Sequence, residues 1–343
     1  MEVPFEAAKG VAEKVLNVRF PIIMRVFFPG ALALGALYVQ ARQMLRALPS
    51  PLDGAWEKLA VVAGVIFGLG VMVSALTNEI YKIYEGRTCW PKRLFDLGVR
   101  RQSERVKRLR NEAKKAGSGP KYDELWYELR IYPQDENGDP VAKQPTLLGN
   151  ILAGYESYPM DRYGMDSVFY WPRIWLTVEK EKKEEIDSQW SVADGFLLLS
   201  AVSLLAGLLW MLEAAGKAVD FISFPIPLAN EGICFFAGLG WIALGYGLYR
   251  LSLSYHRDNG EVFKAIFDLY RDKIRGMMCL DPDDKAAWTA GWAYLQYRVY
   301  QPVPCRKCGT LNTFGSKKCK SCAAEMCPPN PDRKSQDKSP TNP

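Results

Sequence analysis

Long apolar stretches constrain the fold of this chain more than any other feature of its sequence. Three of them contain no charged side chain: Leu59 to Thr77, Gly195 to Leu212 and Gly232 to Tyr249. A helix needs about 20 mostly apolar residues to cross a hydrocarbon core of about 30 Å. A fourth stretch, Phe20 to Gln40, contains Arg25, whose charge lies near one end and can reach the headgroups. We expect four membrane spans, with a buried or interfacial amphipathic helix as the alternative for the first.

Basic residues near the span ends predict the orientation, because Lys and Arg resist translocation. They are frequent after the second stretch and before the third: Lys82, Arg87, Lys92, Arg93, Arg100, Arg101, Lys180, Lys182 and Lys183. Only Lys217 lies between the third and fourth stretches, whereas the basic residues of loop 41–58 fit an external position less well. The pattern predicts two hairpins with both termini in the cytosol, in a bacterial inner membrane.

Glycines recur within the predicted spans. Gly64 and Gly68 form a Gly-x-x-x-Gly step in the second, and four more lie in the fourth: Gly238, Gly240, Gly245 and Gly247. Small residues allow membrane helices to approach closely. We expect these glycines to pack the spans of one chain together; a homo-oligomer interface is the alternative.

These patterns predict a mainly α protein with seven divisions. They are a cytosolic N-terminus (1–19), spans one and two (20–78), a cytosolic helical region with a short β element (79–191), spans three and four (192–250), a cytosolic helical hairpin (251–300), a zinc ribbon (301–327) and a disordered tail (328–343). In the hairpin, an amphipathic helix from Glu261 to Met277 precedes a helix that starts near Pro282.

The predicted cytosolic region begins with a basic helix from Pro91 to Lys115. Its cations could bind nucleic-acid phosphates, but no aromatic residues are interleaved to stack on bases. A solvated helix near acidic lipid headgroups is the favoured interpretation. Leu125 to Tyr132 is expected to form a strand, followed by a turn at Asn137-Gly138 that supports a short hairpin.

Two helix caps follow. Thr146 is expected to cap a helix that ends near Tyr158, before Pro159, and Asp166 to cap one that meets Pro172. Aromatic and Arg side chains are dense here, as in a membrane-interface belt or an inter-domain contact. A ligand pocket is the alternative, and the candidate ligand or contact residues are Tyr163, Asp166, Trp171 and Arg173.

Four cysteines near the C-terminus form two Cys-x-x-Cys pairs: Cys305, Cys308, Cys319 and Cys322. Two such turns can present four thiolates tetrahedrally to zinc, about 2.3 Å from each sulfur. The pattern predicts a structural Zn²⁺ site. Reduced thiolates also favour a reducing compartment, which again places the C-terminus in the cytosol.

The cysteine segment resembles the short zinc ribbons attached to many bacterial membrane and regulatory proteins, and Asn312 between the pairs is part of the likeness. Its spacing also resembles the Ran-binding-protein type of zinc finger, whose members bind single-stranded RNA or ubiquitin. That type has a Trp where this chain has Val303. Motifs such as Arg162–Asp166 and Trp171–Arg173 resemble uncharacterised bacterial multi-span membrane proteins. This resemblance implies no activity.

The sequence favours a non-enzymatic function. His256 is the only histidine, and no phosphate-binding loop or protease motif is present. We expect a membrane scaffold, adaptor or sensor that recruits a protein partner through the zinc ribbon, with nucleic acid as a less favoured partner. The alternative is an oligomeric pore-forming or membrane-disrupting effector that is gated by the cytosolic region.

Overall fold

A computed structural model gives the fold of part of the chain, including the turns around the four paired cysteines. The described residues are 20–37, 55–135, 137–218, 231–278, 288, 303–305, 307–308, 310–312 and 318–324. The predictions for the N-terminus, most of loop 41–58, the second helix of the 251–300 hairpin apart from Trp288, and the tail lie outside them.

Nine helices and one pair of very short strands are formed by the described residues. The helices are α1 (Phe20–Ala36), α2 (Ala55–Ala75), α3 (Thr77–Glu85), α4 (Lys92–Ala116), α5 (Pro120–Leu129), α6 (Leu147–Tyr163), α7 (Ser167–Thr177), α8 (Lys180–Ala218) and α9 (Glu231–Met278). Strands β1 (Val303–Pro304) and β2 (Leu311–Asn312) pair antiparallel, with Val303 opposite Asn312. The prediction of a mainly α fold is confirmed.

Among the described residues, two helices are long and apolar enough to cross a membrane, α8 and α9. A third candidate is the pair α2 and α3, which bends by 49° at Leu76 and counts as one span if the pair is continuous. Helix α1 is apolar but shorter than these. Its turn Ile23–Phe27 is a π-helix. The following Pro29 has no N–H to donate to the carbonyl of Arg25, four residues earlier.

The chain divides into two compact units. The first, which we call the span unit, comprises 1–98, 144–149 and 180–259; the second, the polar unit, comprises 99–143, 150–179 and 260–343. Both units therefore draw on the predicted cytosolic region, since the segment 79–191 contributes to each.

In the span unit, α1 packs on α2 and on α8. Helices α1 and α2 approach closely at Gly30 and Gly70, where a Cβ on either glycine would collide with the backbone of the facing helix. Gly64 and Gly68, the predicted packing pair, have open space at their Cβ positions, so that expectation is wrong for them. The rotation of α2 about its own axis is the reason, because it places these two glycines on the exposed face of the helix.

The glycines of the predicted fourth span differ in whether they pack against a neighbouring helix. Gly238 and Gly245 lie against α8, with Met211 and Leu204 side-chain atoms 2.8 Å from their virtual Cβ positions. These two confirm the prediction of packing within one chain. Gly240 and Gly247 face open space.

In the polar unit, the predicted strand Leu125–Tyr132 is wrong, because these residues belong mainly to α5 and the turn that follows it. Leu125 and Leu129 are four residues apart and both are buried, which is a helical rather than an alternating pattern. Only an isolated bridge between Gln134 and Pro140 remains of the predicted hairpin.

Both predicted helix caps are confirmed. Thr146 Oγ1 accepts a hydrogen bond from the Gly149 N–H at 2.9 Å, and Asp166 Oδ1 accepts one from the Phe169 N–H at 2.7 Å. The expected helix ends at Pro159 and Pro172 are wrong, since both prolines lie inside helices. A proline inside a helix removes only one backbone hydrogen bond, and tertiary packing can offset the loss of that bond.

The amphipathic segment after the predicted fourth span is helical, as expected, but it continues the helix of that predicted span without a break. Helix α9 runs from Glu231 to Met278. Its apolar side chains Phe263, Phe267 and Ile274 are buried. Gly260 lies inside this helix and against the Tyr155 ring, whose Cδ1 is 2.7 Å from the virtual Cβ of the glycine. The glycine therefore allows a close approach within the polar unit.

Candidate metal centre

The four paired cysteines lie in two turns that backbone hydrogen bonds close. The Cys305 N–H donates to the Thr310 carbonyl at 2.9 Å. In the second turn, the Cys319 N–H donates to the Ala324 carbonyl at 2.8 Å, and the Ala323 N–H donates to the Cys319 carbonyl at 3.0 Å. Ala323 has a φ of 55°, a left-handed conformation that tightens this turn.

The turns bring the four sulfurs together. All four lie within 4.8 Å of one another. The Sγ atoms of Cys305 and Cys322 are 3.6 Å apart, and those of Cys308 and Cys319 are 3.5 Å apart. These separations are too long for disulfides, which need about 2.05 Å, and close to the sulfur spacing of about 3.8 Å around a tetrahedral zinc ion. The cluster could therefore hold a metal ion.

Asn312 supports the cluster from between the two cysteine turns. Its side chain is buried. Its Nδ2 donates to the Thr310 carbonyl at 2.6 Å and lies 3.6 Å from the Cys319 sulfur, while its Oδ1 accepts from the Lys320 N–H at 2.8 Å. One amide thus joins both cysteine turns. The sequence identified Asn312 only through a resemblance, because nothing in its spacing indicates that its side chain bridges the turns.

The protonation of the thiols differs from one to the next. Backbone N–H groups of Cys322 and Ser321 stabilise the thiolate of Cys319 and lower its pKa to about 6. The Ala324 backbone lowers the pKa of Cys322, but burial and the neighbouring sulfurs outweigh this effect and raise it to about 12. Adjacent thiolates repel one another, and a divalent cation between them removes that repulsion.

The chemistry of the cluster is that of a closed site. Four thiolates fill a tetrahedral coordination sphere and leave no position for a water molecule or a substrate. Cys305 and Cys319 are buried, whereas Cys308 is exposed. The arrangement suits a structural metal that holds the two turns together.

The other predicted site residues take part in side-chain contacts within the polar unit. Tyr163 donates a hydrogen bond to Asp268 at 2.6 Å, and the Arg271 guanidinium lies 4.1 Å from the centre of its ring. Tyr158 donates to the same carboxylate at 2.9 Å. Burial and the adjacent Asp268 carboxylate raise the pKa of the Tyr158 hydroxyl, so it remains a donor. These contacts join α6 to α9.

The remaining three residues have local or packing contacts. Asp166 caps α7. Arg173 stacks 3.6 Å above the Phe169 ring and donates to the Phe169 carbonyl at 2.5 Å. Trp171 stacks on Phe263 of α9, with ring centres 4.6 Å apart. The geometry corresponds to a contact cluster inside the polar unit.

A cavity of about 620 Å³ in the polar unit has a mixed-charge lining that includes none of these four residues. Arg130 and Lys264 converge there on Glu261, with nitrogen to oxygen distances of 3.9 and 2.9 Å. Asp268, which accepts the two tyrosine hydroxyls, lies on the same wall. Cations and carboxylates thus neutralise one another around the cavity.

A polar cluster in the span unit was not predicted from the sequence. Arg25 of α1 pairs with Asp194 at 2.7 Å and with Asp187 at 2.9 Å, both on α8. Tyr81 of α3 donates to Asp194 at 2.5 Å and lies 3.4 Å from the Nε2 atom of His256 on α9. The charge of Arg25 is therefore compensated inside the helix bundle.

Comparisons with known proteins identify no relative: no protein-family model, no curated protein and no solved structure matches the chain. The described geometry defines a helical protein with two or three candidate membrane spans and a four-cysteine cluster able to hold a metal ion.

Proposed function

We propose that the chain is an integral membrane adaptor that recruits a protein partner to the cytosolic face of a bacterial inner membrane through a C-terminal zinc ribbon. The observation that carries the proposal is the four-cysteine cluster. Its sulfurs lie within 4.8 Å of one another and Asn312 supports them from inside the ribbon. A closed metal site of this kind stabilises a small recognition module that has little apolar core of its own.

The metal in this proposal is Zn²⁺. Zinc accepts four thiolates in tetrahedral geometry and has no redox chemistry, which suits a structural role. Hard cations such as Ca²⁺ and Mg²⁺ prefer oxygen ligands. The ribbon then acts as a docking module without catalysis of its own.

The ribbon also offers side chains for recognition. Lys307, Lys318 and Lys320 are exposed around the cluster. They give this small module a positive surface, so an acidic protein segment is the partner that its charge favours. Single-stranded RNA has the same charge preference and is the less favoured partner, because the ribbon lacks the Trp found in RNA-binding fingers of similar spacing.

The membrane arrangement that we propose has four spans in two hairpins and both termini in the cytosol. Helices α8 and α9 supply two spans and the bent pair α2 and α3 a third. Helix α1 supplies the fourth, supported by its close approach to α2 at Gly30 and Gly70 and by the pairing of Arg25 with α8. Basic residues after α3 support the cytosolic placement of α4.

A capture experiment tests this function. The full-length protein in lipid nanodiscs is immobilised and exposed to bacterial cytosol, and bound proteins and RNA are identified. The C305S/C308S variant serves as the metal-site control, and the K307Q/K318Q/K320Q variant tests the charged surface. We expect a specific protein that binds the native chain, binds neither variant, and is lost on zinc chelation. Identical capture by the native chain and the C305S/C308S variant would contradict the proposal.

A further inference from the structure

The exposed face of α4 carries two parallel rows of cations. Arg100, Lys107 and Lys114 recur every seven residues, and so do their neighbours Arg101, Arg108 and Lys115. Seven residues are close to two turns of 3.6 residues, so each row runs along one side of the helix with about 10 Å between successive cations. We call these six residues the cationic face.

The cationic face lies opposite the packed side of the helix. Val106, Leu109 and Ala113 are buried in the polar unit. With 100° per residue, their directions centre on the side of α4 that is roughly opposite the two rows. All six cations are exposed. The orientation of α4 is fixed by its apolar side, and the charges are consequently directed away from the core.

The six cations are also chemically available. Arg105 and Arg110, at the flanks of the buried side, pair with Glu128 at 2.8 Å and Asp139 at 3.2 Å. None of the six has an ion-pair partner in the described part of the chain. Glu104 lies between the rows and Glu112 beside them. The cationic face therefore keeps a strong positive charge, most of which is not neutralised by carboxylates of the described residues.

We propose that the cationic face of α4 docks on anionic phospholipid headgroups of the membrane in which the chain is embedded. Two observations favour a bilayer over RNA. Helix α4 begins seven residues after Glu85, the end of a candidate span, which keeps it at high effective concentration near a membrane. The face carries no aromatic side chain on which a base could stack.

Docking makes the position of the polar unit depend on lipid composition. Each Lys or Arg near an anionic surface strengthens binding by about fivefold, and the attraction extends over a Debye length of about 8 Å at physiological salt. This inference rests on the membrane placement in the proposed function and does not depend on the zinc ribbon or its partner.

Hydrogen exchange of the full-length protein in nanodiscs tests the proposal. The measured quantity is the amide exchange rate of peptides covering 99–116, in discs of phosphatidylcholine alone and in discs containing 30 % phosphatidylglycerol. We expect exchange at least fivefold slower in the anionic discs, and loss of the difference at 1 M salt, where the Debye length is about 3 Å.

Matched variants separate charge from folding. R100Q/K107Q/K114Q removes one row and should lose the protection, because the loss of three cations weakens docking by about a hundredfold. The variant R100K/K107R/K114R keeps the charges and should keep the protection. K307Q/K318Q/K320Q removes three exposed cations of the ribbon and should have no effect.

Three results would overturn the proposal. The first is an equal exchange rate of the native protein in both kinds of disc. The second is protection that survives in R100Q/K107Q/K114Q. The third is slower exchange of residues 99–116 on addition of a single-stranded RNA in neutral discs, when anionic lipid has no effect. If the capture experiment fails while α4 is protected, the adaptor function is wrong and the lipid docking stands.

Discussion

Gly70 lies at a close approach of α2 to α1, and its replacement by Ala tests how these helices pack. A Cβ at this position would collide with the Val26 carbonyl oxygen and would lie 2.7 Å from the carbonyl carbon. Gly30 is the reciprocal position, with its virtual Cβ 2.8 Å from the Gly70 nitrogen and in collision with Ile66. Backbone atoms cannot rotate away as a flexible side chain can, so the helices must separate.

The size of the effect follows from that separation. The carbonyl oxygens that collide need the larger displacement, and even the 2.8 Å approach requires a shift of about 0.6 Å to reach an ordinary contact of 3.4 Å. The helices therefore separate by at least about 0.6 Å. A gap of this size removes roughly a quarter to a half of the dispersion energy of the facing atoms. We therefore expect G30A and G70A each to lower the free energy of unfolding by about 1–3 kcal/mol.

The controls are G64A and G68A, whose Cβ positions have open space. Ala is the better helix former by up to about 1 kcal/mol, so these variants should be neutral or slightly stabilising. The assay is unfolding of the detergent-solubilised protein, followed by circular dichroism. Equal destabilisation by G64A and G70A, or no effect of G70A, would refute the proposed packing.

Three further predictions concern single polar groups. D194N should destabilise the span unit by about 2 kcal/mol in the same unfolding assay, because Arg25 and Tyr81 lose a charged hydrogen-bond acceptor. D187N removes a more exposed partner of Arg25 and should destabilise the unit less. A larger effect of D187N than of D194N would contradict the described cluster. For Glu179, hydrogen bonds from Tyr270 and Lys273 lower the carboxyl pKa from 4.5 to about 2. Because the pKa of Glu179 is lower in the folded state, the ionised carboxylate stabilises the fold above about pH 4.5, and this stabilisation is lost as the pH falls toward 2. The melting temperature of E179Q should therefore be below that of the native protein at pH 7, and the two should converge at low pH. N312A should weaken zinc binding by about 10- to 100-fold in a chelator competition, and unchanged affinity would show that the amide does not support the cluster.

Local patterns in the sequence predicted much of the helical architecture. Apolar length indicated α8 and α9, and the caps at Thr146 and Asp166 followed from short-range chemistry. The strand prediction at Leu125–Tyr132 failed because aromatic and branched residues suit both helices and strands, and packing decided for the helix. Local signals therefore gave helix starts more reliably than helix ends.

The tertiary contacts could be predicted far less. The rotation of α2 about its axis decides which of its glycines pack, and the amino-acid composition of the helix does not determine that rotation. Gly70 faces α1, whereas Gly64 and Gly68 do not. The polar cluster joins Tyr81 and His256, which are 175 residues apart in sequence. By contrast, the four-cysteine cluster was predictable because its ligands lie within short turns, and the distances between its sulfurs agree with that prediction.

Zinc content of the full-length protein tests the central claim most directly. The purified protein, with its membrane insertion checked by resistance to carbonate extraction, is analysed by elemental mass spectrometry. Four thiolate ligands predict about one zinc ion per chain. The C305S/C308S variant should contain no stoichiometric zinc and should still insert into the membrane. Full zinc content in that variant, or no zinc in the native protein, would contradict the account.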